Sequence, residues 1–243
     1  METLPHPLSL FVKDLALRAP LSPADRDAIY KLPHTLRILE TSAYALREAD
    51  MPTHCGVLVS GFAFRQKIAS DGGRQIMAIL LPGDAIDLQN LFLDVSDHSI
   101  QMMTRGQLAM LRREDIQEIV RTRPGVRQAI FIKILAEASI FREWLVNLGQ
   151  RQAPERVAHL LCELGFRFEV LGLAEKYGYE LPITQEELGD ATGITSVHVN
   201  RILKKLDASG FVTRNRRQIS FSNWSDMRTI AGFNARYLHM QGK

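Results

Sequence analysis

The sequence is poor in several things at once. It holds only 2 cysteines in 243 residues, Cys55 and Cys162. They lie far apart, in neither a C-x-x-C nor a Cys/His spacing, so neither zinc nor an iron–sulfur cluster is indicated. No stretch reaches the ~20 apolar residues of a membrane span. The opening METLPHPLSLFVKDLALRAP has no basic start and no uninterrupted apolar core, so an export signal is not expected and a reduced, cytoplasmic setting is. Net charge is small as well, at +3. What is there, 46% hydrophobic and 23% charged residues, is the composition of a globular protein with a real core.

The small excess of charge is unevenly placed. All of it falls from Arg151 onward, where Arg201, Lys204, Lys205, Arg214, Arg216 and Arg217 crowd together, opposed by Asp207 alone. A focused positive field of this kind suits a polyanion.

Two kinds of periodicity divide the chain. From His34 to Met110 short β-rich runs alternate with turn signals: VLVSGFAFRQKIA, then SDGGRQ with a hairpin turn at Asp71-Gly72-Gly73, then IMAILLPGD. An antiparallel roll or barrel is expected there. Helical spacing follows. Arg113 to Arg121 reads as a short helix, Pro124 restarts the chain, and Val126 to Leu148 continues without a breaker for about 35 Å. Ile130, Ile134, Phe141, Leu145 and Leu148 recur along it at helical intervals. A helix this long either covers the β domain or forms a dimer seam, with Ile134 expected in the seam. Gly149 and QRQAP then mark a boundary. The fold class is α+β, with a β-roll at 1–123, a long helix and hinge at 124–152, and a third region at 153–243.

That third region carries ITQEELGDATGITSVHVNRILKKL. Thr184 with Glu187 forms a capping box. Gly189 leaves room for close approach, Gly193 supplies a left-handed turn, and Thr195 or Ser196 caps a second helix whose buried stripe is Val199, Ile202, Leu203 and Leu206. Helix, tight turn, helix is the arrangement that places a second helix in a DNA major groove. The opposite face offers Ser196, Val197, Asn200, Arg201 and Lys204, with His198 beside them. FVTRNRRQISF then reads as a two-stranded basic wing that includes Arg216. Thr184, Thr195 and these residues are the expected contacts to double-stranded DNA.

Across nearly its whole length the chain resembles the Crp/Fnr family of transcription regulators. GVLVSGFAFRQ…DGGRQIMAILLPGD is similar to its cyclic-nucleotide-binding-like roll, and LPITQEELGDATGITSVHVNRILKKLDASGFV to its winged helix-turn-helix. The resemblance implies a homodimer joined by the long helix, binding a two-fold symmetric operator and meeting RNA polymerase at promoters. Two departures stand out. Members that bind cyclic AMP use a Gly-Glu turn and an Arg-Ser or Arg-Thr pair. Here Gly83-Asp84 stands for the first and His98-Ser99 for the second, and a neutral imidazole lacks the two-point grip of guanidinium on phosphate. These four residues are the expected effector pocket, and cyclic AMP is not the expected ligand. In the reading helix the family's cytosine-reading glutamate is Val197, whereas Arg201 keeps the guanine-reading arginine.

Other effector chemistries are no better supported. The N-terminal cysteines of the family's iron–sulfur sensors are absent. Haem ligation by His54 or Cys55 is disfavoured because neighbours on a strand point to opposite faces. A non-enzymatic role is expected, since His54, Cys55, Asp84, Asp87 and His98 form no nucleophile-base-orienter pattern. The competing reading is a small-molecule-binding or protein-interaction module without a true operator.

Overall fold

The computed structural model describes residues 5–174, 178–215 and 218–240. In chain order the elements are α1 (Ser9–Ala16), α2 (Pro23–Tyr30), β1 (His34–Leu39), β2 (Tyr44–Leu46), β3 (His54–Ser60), β4 (Ala63–Ile68), β5 (Arg74–Leu80), β6 (Ala85–Ile86), β7 (Ser99–Met102), β8 (Gly106–Arg112), α3 (Arg113–Thr122), α4 (Pro124–Gln150), α5 (Ala153–Leu171), β9 (Gly178–Glu180), α6 (Gln185–Thr192), α7 (Ser196–Ala208), β10 (Val212–Asn215), β11 (Gln218–Phe221) and α8 (Trp224–Ile230). Among the described residues no helix is long and apolar enough to cross a membrane. The chain forms two compact units, one within 1–68, 77–138 and 239–243, the other within 69–76 and 139–238.

In the first unit two four-stranded sheets, ordered β1-β8-β3-β6 and β2-β7-β4-β5, make the roll. β8 is its spine, pairing antiparallel with β1 from His34 opposite Leu111 and with β3 from His54 opposite Arg112. Alternation along these strands sends Leu58, Ile100, Met102 and Leu108 into the space between the sheets. The other face of β3 and β8, with Cys55, Val57, Ala109 and Leu111, packs under Phe11, Leu15, Ile119, Val126 and Ile130 from the helices. Burying such side chains contributes roughly 1.5–3 kcal/mol each and accounts for most of the roll's stability.

α4 runs to Gln150, through the expected break at Gly149. One glycine is tolerated at a cost of about 1 kcal/mol, and the break comes two residues later. The expected seam also needs correcting at its first half. Ile130 is fully buried in the roll's own core and Ile134 packs against it, so those residues serve the protomer. The apolar side chains left exposed along α4 are Phe131, Leu135, Leu145 and Val146.

In the second unit Gln152 opens α5, its backbone N–H donating to Glu155 Oε2 at 3.0 Å, with Pro154 in the first turn. Val157, Leu161, Leu164 and Phe168 of α5 are buried with Leu188, Ile202, Leu203 and Met227. Phe168 stacks on Tyr179 at 4.7 Å between centroids. Two buried polar groups sit nearby. Glu163 Oε2 accepts from Trp144 Nε1 at 2.9 Å and from the Tyr237 hydroxyl at 2.8 Å, and burial pushes its carboxyl above the usual range. Burial, aided by the Arg151 charge, pushes the His159 imidazole down to about 3, so the ring is neutral.

Candidate nucleic-acid interface

The helix-turn-helix is built from short-range chemistry. Glu187 N–H donates to Thr184 Oγ1 at 3.1 Å and Thr184 N–H donates to Glu187 Oε2 at 2.7 Å, closing the capping box that starts α6. Gly193 ends it at φ 66°, in the left-handed region that glycine takes without strain. Gly189 answers a different need. A Cβ there would lie 2.5 Å from the Ile194 carbonyl oxygen, so the turn itself, rather than a crossing helix, occupies the space. Thr195 then caps α7, accepting from His198 N–H at 3.3 Å.

One cap of this motif had no local signature in the sequence. Arg156 on α5 donates to the carbonyl of Thr192, the last residue of α6, at 3.1 Å, and to that of Arg151 at 2.9 Å. A cation on exposed C-terminal carbonyls is favourable. The partners are 36 residues apart, so no periodicity marks the pair.

On α7 the two faces are cleanly separated. Val199, Ile202, Leu203 and Leu206 are buried. Ser196, Val197, Arg201, Lys204 and Lys205 are exposed, and His198 and Asn200 are half-buried. Val197 stands out as an apolar side chain left 67% exposed on a polar face. Arg201, Lys204 and Lys205 make no ion pair among the described residues. β10 and β11 pair antiparallel from Val212 opposite Phe221 to Asn215 opposite Gln218, and β9 extends them into a three-stranded wing. Arg216, expected at the wing tip, lies outside the described residues, as does Arg217.

The four expected effector residues divide between different surroundings in the roll. Gly83 packs against the backbone of Leu10. Asp84 is buried, accepting from Leu81 N–H at 2.8 Å and from Lys133 Nζ at 3.2 Å. Lys133 also holds Asp14 at 2.7 Å, and Arg18 holds Asp14 at 3.2 Å. Burial alone would raise the Asp14 carboxyl, but the two cations outweigh it and hold it below the usual range. His98 is elsewhere, buried with Nδ1 2.7 Å from Asp97 Oδ1 and Nε2 3.5 Å from Asp87 Oδ1. Ser99 Oγ accepts from Glu48 N–H at 3.0 Å. Asp87 itself sits at a turn. It takes φ 64° ahead of a single 3-10 turn, and its Oδ2 accepts from Asn90 and Ser96. Arg65 lies 3.9 Å from Asp87 and 3.5 Å from Glu137 of α4.

Comparison with known proteins matches this architecture part by part. Residues 36–123 match the cyclic nucleotide-binding domain model and residues 155–230 the Crp-like helix-turn-helix domain model. The chain is 29% identical over 182 residues to the transcriptional activator protein FnrL of Cereibacter sphaeroides, covering 72% of this chain and 71% of that one. It is 29% identical over 214 residues to the nitrogen fixation regulation protein FixK of Bradyrhizobium diazoefficiens, covering 85% and 88%. The solved structure of FixK2 from Bradyrhizobium japonicum superposes with a TM-score of 0.76 at 24% identity, over 84% of this chain and all of that one, and shares the fold. These relatives are named as regulators and not as enzymes. With a roll, a long helix and a capped helix-turn-helix in that order, each half matching its own family model, the chain belongs to the Crp/Fnr family of DNA-binding transcription regulators.

Proposed function

We propose that the chain works as a homodimer that reads a two-fold symmetric duplex in the cytoplasm, placing α7 of each copy in the major groove of one half-site and acting on RNA polymerase at the promoter. The observation that carries this reading is the division of α7 into a buried apolar stripe and an exposed face of Ser196, Val197, Arg201 and Lys204. Arg201 supplies a bidentate grip on guanine O6 and N7, worth about 1–3 kcal/mol of discrimination. Val197 has no acceptor for a cytosine amino group and packs instead on a thymine methyl. Thr195, His198, Asn200 and Lys204 serve phosphates or neighbouring base edges, as does Arg216 from the wing. Thr184 has its hydroxyl oxygen engaged in the α6 cap and acts on DNA through the start of that helix.

The second copy is seated on α4, where Phe131, Leu135, Leu145 and Val146 repeat at helical spacing and are exposed. Apolar residues at such intervals are what a helix–helix seam uses. A cyclic nucleotide is disfavoured as the signal, because His98 faces carboxylates where a phosphate would need a cation.

Selection of bound duplexes from a random pool by the purified protein at near-physiological salt tests the reading. Enrichment of an inverted repeat with half-sites about one helical turn apart is expected. Enrichment of unpaired half-sites would remove the dimer, and no enrichment by folded protein would remove unliganded reading of DNA.

A further inference from the structure

The roll contains a cavity of about 300 Å³, at the small end of the range for ligand sites. Its exposed side is the loop with Asp50 and Met51, and its buried side includes Ile86, Asp87 and Asn90, with Met110 from β8. None of the residues lining it is a lysine or arginine. Its carboxylates are therefore unopposed by lysine or arginine in the lining, and the rest of the wall is mixed, with Thr53 and His54 beside the apolar Leu46, Ile86, Leu108 and Met110.

The buried polar residues are short of donors. Asp87 and Asn90 are only 2% and 5% exposed, yet Oδ1 of each accepts no hydrogen bond. His98 Nε2 lies 3.5 Å and Arg65 NH2 3.9 Å from Asp87 Oδ1, at or beyond the reach of a hydrogen bond. Leaving a buried acceptor unmade is costly, and more so for a carboxylate. A ligand that brings donors and positive charge relieves both acceptors, whereas an anion would meet Asp87 and Asp50 with no lysine or arginine in the lining, and only the His54 imidazole, to offset them.

We propose that this cavity binds a small organic cation, an amine, amidine or guanidine on an apolar body, with Asp87 and Asn90 receiving the head and Ile86, Met51 and Met110 covering the body. Binding here is independent of the DNA reading, so one can fail without the other.

The test is titration of the full chain, labelled with ¹³C at methionine methyls, with benzamidine and its near-isosteres benzamide and benzoate, in the absence of DNA. Benzamidine is expected to shift the Met51 and Met110 methyls saturably, benzamide more weakly and benzoate not at all. Asp87→Asn is expected to weaken benzamidine by about tenfold or more, as loss of a charge-assisted hydrogen bond does. Met110→Trp, which fills the cavity and spares the acidic group, is expected to abolish the shift at Met51, and it serves if Asp87→Asn does not fold. Benzoate binding as tightly as benzamidine would overturn the assignment. So would unaltered benzamidine affinity in either folded variant, or no shift at either methyl in the parent protein.

Discussion

The roll and the winged helix use charge in opposite ways. In the roll Lys133, Asp14, Asp84 and Arg18 are buried and satisfy one another at 2.7–3.2 Å. On α7 Arg201, Lys204 and Lys205 stand in water without an ion pair among the described residues. A buried pair is poor evidence of net stabilisation, but it fixes geometry, because losing one member strands the other. An exposed cation fixes nothing in its own fold and is available to a partner. Substitutions in the first set should therefore appear in stability and those in the second in binding.

The largest effect tests the first half of that contrast. Lys133→Met leaves Asp14 and Asp84 without their shared cation and is expected to cost about 3–5 kcal/mol in denaturant unfolding; a loss under 1 kcal/mol, or roughly the value of a surface pair, would mean that water reaches the cluster. Next come two neighbours on α4. Leu135→Asp, at a 67% exposed position, is expected to keep its unfolding midpoint and sediment as a monomer, whereas Ile134→Asp loses core packing and stability first. If both merely destabilise, the exposed stripe is not the seam.

Smaller effects sharpen the second half. Arg201→Ala is expected to lose about 1–3 kcal/mol of discrimination at one base pair of each half-site, with stability unaltered. Lys204→Ala is expected to weaken binding across sequences and flatten the salt dependence by about one unit of slope. Equal losses by both on every sequence would erase the distinction between base and phosphate contacts. Thr195→Ala removes the α7 cap and is expected to cost about 1 kcal/mol of stability.

One pH effect crosses the division, because the winged unit also holds a buried titratable ring. His159 stays neutral in the fold down to about 3, while in the unfolded chain it takes a proton near 6.5. Its contribution is complete above about 6.5 and is lost as pH falls from there toward 3. The raised carboxyl of Glu163 acts in the opposite sense above its ordinary value. His159→Phe, beside Phe233 and Tyr237, is expected to flatten the decline between neutral and mildly acid pH in thermal melts; an unaltered slope would assign it to other groups.

The helix-turn-helix was legible in the sequence because its determinants act over three or four residues: Thr184 with Glu187, Gly193, Thr195 with His198. The roll's turns were legible for the same reason, and Gly73 N–H indeed donates to Asp71 Oδ1 at 2.9 Å. The seam was less so. α4 carries apolar side chains on more than one face, and spacing cannot say whether Ile134 or Leu135 meets its own core. Nor could it separate Asp84 from His98. They are close in the chain, but their partners Lys133, Asp14 and Asp87 come from elements that only the folded roll brings near.

Gly189 has a consequence in genetics. A methyl group there collides with the Ile194 carbonyl oxygen, so Gly189→Ala deforms the reading head and leaves the exposed stripe of α4 intact. If the chain pairs through α4 as proposed, then in a cell carrying both alleles crippled chains would pair with sound ones, and most dimers would hold at most one working half. Such an allele would be dominant over the parental copy, whereas a deletion would be recessive.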